Sequence, residues 1–166
     1  MTHATNKVDW CLKKAEKELK EGGKHRGLVK KKPSNEKAME YLAKANHYLE
    51  ATDFLKKNGY SDISASTSFY AIYHCLLAVA MKNGYESRNQ ECTFALIKAL
   101  SEEGKAPFDS DFMDKLSLLN GKDDSLIELR ERYQYGTEIS MEDSLYASMR
   151  SLAKDSLDKT KVFLEV

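Results

Sequence analysis

The chain of 166 residues has little proline, little cysteine and no long apolar run. Two prolines and eight glycines leave most of the chain free to form helices, and 42% hydrophobic with 31% charged residues is typical of a globular protein. The longest apolar stretch, residues 69–81, spans thirteen residues and contains His74, whereas a membrane-spanning helix needs about 20. It therefore predicts a buried core helix and no membrane association.

The chain has only three cysteines, an odd number. Cys11, Cys75 and Cys92 show no close pairing, which favours reduced thiols and makes a disulfide framework improbable. The first residues contain no apolar region or small-residue cleavage site of the kind that directs export. Together these observations predict a cytoplasmic protein.

The residues that usually bind metals or carry nucleophilic catalysis are sparse. The four histidines include no pair at i,i+4, and the cysteines form no Cys-x-x-Cys motif. A site assembled from His47, His74 and Cys92 is geometrically conceivable, but we predict no metal and no cofactor. His74 itself is interpreted either as a core histidine with internal partners or as a recognition residue. The sequence also lacks a P-loop and a Gly-x-Ser-x-Gly elbow, so Ser64, Ser66, Thr67 and Ser68 are interpreted as helix-packing surface.

Charge is unevenly distributed although the net charge is zero. Residues 1–32 hold ten Lys or Arg against four Asp or Glu, a net charge of +6, so the remainder carries −6. This segment either steers an anionic partner such as RNA or is a solvated basic arm resting on the acidic body. We predict a basic N-terminal helix and loop extension over 1–32 and a helical bundle domain over 33–166.

Apolar residues recur at helical spacing through most of the chain, and no segment has a convincing strand pattern. The sequence predicts an all-α, mainly antiparallel bundle of four to five helices with an extra N-terminal helix. Predicted helices cover residues 8–20 and 62–82, and between them lies a helix capped by Ser34 and closed by Asn58 and Gly59. A further helix runs from about Cys92 to Gly104. The fourth element of the bundle runs from Phe112 to Leu129 and is interrupted at Asn120 and Gly121, and the last helix has Ser140 and Asp143 in an N-capping arrangement.

The segment Arg-Glu-Arg-Tyr-Gln-Tyr-Gly, residues 130–136, places two guanidiniums and two phenols in seven residues without His, Cys or Asp. Arg and Tyr are suited to binding phosphate and stacking on bases, whereas the missing types usually move protons near neutral pH. On a helix, Arg130 and Gln134 share one face, which favours Arg130 for a directed role. The alternative is that Arg130 only forms an ion pair, for example with Glu128 or Glu131.

Several motifs together resemble the HEPN domain superfamily, small helical-bundle proteins of prokaryotic toxin–antitoxin and RNA-processing systems. Residues 67–74 look like the aromatic helix of that family, Gly84 closes the helix, and residues 130–135 lie near the end of the fourth element. Residues 10–14 and 91–94 look like an archaeal-type branch of the superfamily. The resemblance covers nearly the whole chain.

This resemblance implies a homodimer in which two copies of Arg130 face one another across a cleft. In the nuclease members the Arg is followed a few residues later by a His, and cleavage proceeds without metal through the ribose 2′-OH. That His position is Tyr135 here, and a phenol with a pKa of about 10 is about 0.1% ionised at pH 7, a poor general base. The family's other Arg and His positions are Thr67 and Gln90. A tyrosine modified in some members corresponds to Thr137, so that modification is not carried over.

The leading hypothesis is a HEPN-like homodimer that binds RNA or a small nucleotidyltransferase partner, as part of a toxin–antitoxin system, without efficient nuclease activity. The alternative is a metal-independent endoribonuclease in which Tyr135 replaces the His, with Arg130 and Tyr135 as catalytic candidates. A third interpretation is a scaffold domain whose tyrosines belong to the core. The predicted RNA- or partner-binding residues are Arg130, Arg132, Tyr133, Gln134, Tyr135, Tyr70, Tyr73 and His74.

Overall fold

The computed structural model describes residues 1–117 and 125–166, which form seven helices and one two-stranded sheet. With 74% of the described residues helical, the predicted all-α class is confirmed. In chain order the elements are α1 His3–Lys20, β1 Leu28–Lys30, α2 Asn35–Lys57, α3 Ser61–Lys82, β2 Tyr85–Ser87, α4 Gln90–Glu102, α5 Ser110–Ser117, α6 Leu126–Tyr135 and α7 Asp143–Glu165.

Helix α3 lies at the centre of the bundle and packs against α2, α4, α6 and α7. Its residues Phe69, Ile72, Leu76 and Val79 are fully buried. Within the described part of the chain, α3 alone is long and apolar enough to cross a membrane, but 67% of its apolar window is buried inside the fold. The predicted core helix is therefore confirmed, because this apolar surface is covered by other helices of the same domain.

Hydroxyl side chains mediate the close approach of α2 and α3. Ser64 Oγ donates to the backbone oxygen of Thr52 at 3.1 Å, and Thr52 Oγ1 donates to Thr67 Oγ1 at 2.8 Å. Small side chains let the two backbones approach, and the hydroxyls satisfy each other where water is excluded. The predicted helix-packing role is confirmed for Ser64 and Thr67.

Local capping signals located some helix ends correctly and others wrongly. Ser34 caps α2 as predicted, since its Oγ accepts from the backbone N–H of Lys37 at 3.1 Å. The predicted capping by Ser140 is wrong, because α7 begins at Asp143 with Glu142 at the N-cap and no side-chain cap hydrogen bond. Helix α1 starts five residues earlier than predicted, at His3, because the Thr2 hydroxyl caps it. The predicted break at Asn120 and Gly121, together with Leu119, lies outside the described residues.

The prediction that the chain contains no strands is wrong. Strands β1 and β2 pair antiparallel, with Val29 opposite Glu86. Each strand has only three residues, too few for an alternating pattern to emerge from the sequence. Gly27, just before β1, permits the approach to α1, because a Cβ there would lie 2.6 Å from the backbone oxygen of Cys11.

The predicted reduced state of all three cysteines is also wrong. Cys11 of α1 is bonded to Cys92 of α4, across a sequence separation of 81 residues and a Cα separation of 6.0 Å. Packing of α1 on α4 brings the two cysteines together, a relationship that their spacing in the sequence does not show. Cys75 remains a free thiol, and burial raises its pKa to about 12. The cytoplasmic location and the division of the chain at residue 32 stay predictions.

Candidate functional site

Helix α6 carries the Arg130 segment and has well-defined ends. Ser125 and Glu128 form a capping box at its start, each side chain bonded to the backbone N–H of the other. At its end, a Cβ on Gly136 would lie 2.4 Å from the backbone oxygen of Arg132, so a larger residue is excluded without rearrangement. These two signals position Arg130 on the inward face of the helix, where only 8% of its side chain is exposed.

The guanidinium of Arg130 has one short hydrogen bond and several weak contacts. Nη1 donates to Gln134 Oε1 at 2.6 Å, whereas Nη2 lies 3.3 Å from Glu131 Oε1 and 3.4 Å from Gln90 Oε1. Its Nε is buried and has no hydrogen-bond partner among the described residues. A guanidinium carries five N–H donors, so this one is only partly satisfied. The predicted pairing of Arg130 and Gln134 on one face is confirmed. The 3.3 Å contact between Arg130 and Glu131 is a weak ion pair of the kind that the alternative interpretation named.

Gln90 brings the start of α4 to the same place. It is the first residue of α4, and Asn89 caps the helix by accepting from the backbone N–H of Cys92 at 2.9 Å. Exposed N–H groups and the helix dipole make such a terminus favourable for negative charge. Arg130 and the N-terminus of α4 therefore meet at one place in the fold, and each carries N–H groups that can bind an anion.

Phe69 lies beneath Arg130 and connects it to the aromatic motif of α3. The guanidinium carbon of Arg130 is 5.2 Å from the Phe69 ring centroid, and the Tyr73 ring stacks on Phe69 at 5.9 Å. Tyr73 also hydrogen-bonds through its hydroxyl to Thr93 Oγ1 at 3.1 Å, and burial raises the pKa of Tyr73. Phe69 was not predicted as a site residue; its i,i+4 spacing from Tyr73 is the sequence signal that places both rings on one helix face.

His74 and Tyr70 lie in an aromatic cluster with α2. His74 Nδ1 donates to the backbone oxygen of Tyr70 at 2.8 Å, and its ring lies 5.2 Å from that of Tyr48. Burial lowers the pKa of His74, and the nearby charge of Lys44 lowers it further. A lowered pKa leaves the imidazole neutral at pH 7, so this geometry fits the core-histidine interpretation better than a phosphate contact.

The other predicted residues of the segment do not converge on Arg130. Arg132 binds Glu138 through Nε at 3.0 Å and Nη2 at 3.2 Å, in a bidentate ion pair on the surface. Tyr133 is only 6% exposed and packs in the core, and its burial raises its pKa. Tyr135 is 74% exposed, and no hydrogen bond or ring contact within the described ranges joins it to Arg130. The binding roles assigned to these residues stay predictions.

The conceivable metal site is not assembled. Cys92 is bonded to Cys11 and so cannot act as a thiolate ligand beside His47 and His74. Over residues 1–117 and 125–166 there is no group of three or more His, Cys, Asp or Glu side chains that could hold an ion.

Comparison with known families gives one match. A model of the HEPN domain matches residues 38–166, which include α3, α4, α6 and therefore every residue around Arg130. Helix α1 and strand β1 precede the matched region. No match to the chain is found among curated proteins.

Proposed function

Because this chain belongs to the HEPN domain family, we propose that it is a homodimer that binds single-stranded RNA through Arg130 and does not cleave it efficiently. Membership of the family points to an RNA-related function in general. RNA as the ligand, the dimeric state and the lack of efficient cleavage are the parts of the proposal that go beyond family membership.

The partly satisfied guanidinium of Arg130 is the observation that supports RNA binding most directly. A phosphate oxygen reaching Nη2 would replace the 3.3 and 3.4 Å contacts to Glu131 and Gln90 with a charge-assisted hydrogen bond. Such bonds contribute about 1.5 to 3 kcal/mol. The N-terminus of α4 adds favourable potential for the same anion, and the Phe69 ring covers one side of the guanidinium.

Exposed apolar side chains near the end of α6 support the dimer. Tyr135 and Ile139 are mostly exposed there. The loop after them returns to the start of α3, where the backbone N–H of Met141 donates to Ser61 Oγ at 2.9 Å, close in sequence to the exposed Tyr60 and Ile63. An apolar area of this kind favours a covering protein surface. In the proposed dimer a second copy covers these side chains, and the resemblance to the family implies that two Arg130 residues then face one another.

The composition of the site favours binding over cleavage. By the resemblance to the family, Tyr135 stands where the nuclease members have a His, and a phenol is a poor general base near neutral pH. An exposed phenol ring is instead suited to stacking on an unpaired base, worth about 1 to 3 kcal/mol per base.

RNA binding is tested by fluorescence anisotropy with a labelled single-stranded oligonucleotide. Arg130→Ala is expected to weaken binding about tenfold or more, as loss of a charge-assisted contact of about 1.5 kcal/mol requires. Lys161→Ala removes one exposed positive charge from α7 and is the matched control, with unchanged affinity expected. Equal affinity of Arg130→Ala and the wild type, with circular dichroism showing both folded, would overturn the proposal. Light scattering after gel filtration tests the dimer by measuring the molar mass. A monomer mass at all protein concentrations would overturn the proposed dimer.

The endoribonuclease alternative has its own measurement. Labelled RNA incubated with the protein in EDTA should remain intact if the protein only binds. Products ending in 2′,3′-cyclic phosphate that disappear with Tyr135→Phe would establish the alternative instead.

A protein partner is the remaining candidate, because the exposed Tyr135 and Ile139 suit a protein surface as well as a second copy of the chain. A small nucleotidyltransferase, as in toxin–antitoxin pairs of this family, is the partner that the resemblance implies. Its reading frame is expected beside that of this protein, and co-purification of the two products that Tyr135→Ala abolishes would support this role.

A further inference from the structure

Basic residues that flank strand β1 lie at both ends of the two-stranded sheet. At one end, the backbone N–H of Arg88 donates to the oxygen of Gly27 at 3.0 Å, which places Arg26 beside Arg88. At the opposite end, the backbone N–H of Lys31 donates to the oxygen of Gly84 at 2.8 Å, so Lys31 and Lys32 lie there. We call the first group, Lys24, Arg26 and Arg88, the Arg88 end.

The Arg88 end adjoins the Arg130 site. Arg88 precedes Gln90 by two residues, and Gln90 Oε1 is 3.4 Å from Arg130 Nη2. Consecutive Cα atoms are about 3.8 Å apart, so the Cα atoms of Arg88 and Gln90 are separated by less than about 8 Å. Paired strands lie about 4.8 Å apart, so the backbone at Arg88 is about that far from the backbone at Gly27, and Arg26 is the residue before Gly27. The three arginines therefore follow one another over a distance that a few nucleotides of single-stranded RNA can span.

The side chains of Lys24 and Arg26 are exposed, and neither forms an ion pair within the described residues. The nearby carboxylate of Glu18 accepts from the backbone N–H of Arg26. Two solvent-facing cations are thus available for phosphate.

Two further carboxylates near the Arg88 end are already engaged. Glu86 accepts from His25 Nε2 at 2.8 Å and lies 3.3 Å from Arg88 Nε. Glu91 pairs with Lys7 of α1 at 3.4 Å. Arg88 remains half exposed and shares its carboxylate with His25, so it retains donors for an additional anion.

The Arg88 end is held in place by the fold, because α1 is attached directly to α4. The Cys11–Cys92 bond joins α1 to the first turn of α4, two residues from Gln90. His25 is buried between Lys24 and Arg26, and Gly27 lies against the backbone of Cys11. A cationic surface fixed beside a site binds more strongly than a mobile arm, because less conformational entropy is lost on binding.

We propose that the Arg88 end is a second phosphate-binding surface, continuous with the Arg130 site, along which single-stranded RNA runs. This inference rests on the proposed RNA binding and extends it to Lys24 and Arg26, which lie outside the residues matched by the family model. The N-terminal extension, residues 1–32, then has a function in recognition, because it lengthens the segment of RNA that one protomer contacts.

The test compares two double variants of the full, oxidised chain that lose equal charge at opposite ends of the sheet. Lys24→Gln/Arg26→Gln removes two of the three cations of the Arg88 end, and Lys31→Gln/Lys32→Gln is the control. Anisotropy is measured with a single-stranded RNA of about ten nucleotides and with a trinucleotide, over a range of salt concentrations. We expect the first variant to bind the longer RNA about fivefold to tenfold more weakly and with a salt slope reduced by about 1 to 2.

The same variant is expected to bind the trinucleotide as the wild type does, and the control is expected to change neither affinity by more than about twofold. Equal weakening by both variants, or by neither, overturns this inference and leaves the proposed function standing if Arg130→Ala still loses binding. A wild-type protein that binds no RNA overturns both. All four substitutions are at exposed positions, so unchanged thermal unfolding is the check on folding.

Discussion

The guanidinium of Arg130 lies over the ring of Phe69, with 5.2 Å between the guanidinium carbon and the ring centroid. Phe69 belongs to the central helix α3, whereas Arg130 belongs to α6, so the contact joins two motifs that lie far apart in the sequence. The ring covers one face of a charged group, and a cation over an aromatic face gains about 0.5 to 2 kcal/mol. Phe69 thereby orients Arg130 without using any of its N–H donors.

Phe69→Leu tests this orientation. The substitution keeps an apolar side chain but removes the ring, so we expect a loss of about 1.5 kcal/mol or less in the free energy of unfolding and weaker RNA binding. Ile72→Leu is the matched control, because Ile72 is also fully buried on α3. It should lower stability by a similar amount and leave RNA affinity unchanged. If both variants changed the affinity equally, Phe69 would contribute only to packing.

Removal of the Cys11–Cys92 bond is expected to destabilise the protein strongly. The bond closes a loop of 81 residues, and loss of that restraint on the unfolded chain corresponds to about 4 kcal/mol. Urea unfolding of Cys11→Ser/Cys92→Ser should show this loss, and dithiothreitol should reproduce it in the wild type. The double variant provides the control, since reductant should not affect it. A wild type whose unfolding is insensitive to dithiothreitol would contradict the bond.

Gly27→Ala should separate β1 from α1. The added Cβ would lie 2.6 Å from the backbone oxygen of Cys11, too close for any contact without a backbone shift. Overpacking of this kind costs about 1 to 3 kcal/mol, which denaturant unfolding measures. Gly23→Ala is the control, because its Cβ would meet only Glu18 oxygen at an ordinary 3.5 Å. Similar midpoints for the two variants would count against the close approach of β1 and α1.

The contact between α2 and α7 should make stability dependent on pH. Asp53 accepts two hydrogen bonds from Arg150, through Nε at 3.0 Å and Nη2 at 2.9 Å, and one from Tyr146 at 3.0 Å. The hydrogen bonds from Arg150 and then Tyr146 hold the pKa of Asp53 below its ordinary value. The stabilisation is therefore present above the unfolded-state pKa of about 3.9 and is lost as the pH falls through the lower pKa of the folded state.

Asp53→Asn is expected to lower the free energy of unfolding by about 0.5 to 1 kcal/mol at pH 7, a modest value because the pair is partly exposed to solvent. The difference from wild type should shrink as the pH drops below about 4. Asp155→Asn changes an exposed carboxylate of α7 and is the control. A difference that stays constant between pH 7 and pH 3 would rule out ionisation of Asp53 as its source.

The sequence by itself determined the features that depend on neighbouring residues. Ser34 begins α2 and the apolar run of residues 69–81 lies in the central helix, because capping and helical periodicity act within about four positions. The pairing of Arg130 with Gln134 is of the same local kind. At Ser140 the local signal failed: α7 begins at Asp143, and the loop before it is bonded to α3 through Met141 and Ser61.

Tertiary structure alone decided which distant residues meet. The bond between Cys11 and Cys92, the pairing of β1 with β2, and the position of Phe69 beneath Arg130 each join residues more than fifty positions apart. Three-residue strands and isolated cysteines carry no periodic signal, and their partners are selected by how α1, α3, α4 and α6 pack. The sequence could therefore single out the segment around Arg130, but only the tertiary structure determined that Arg26 lies beside Arg88, two residues from the Gln90 that contacts Arg130.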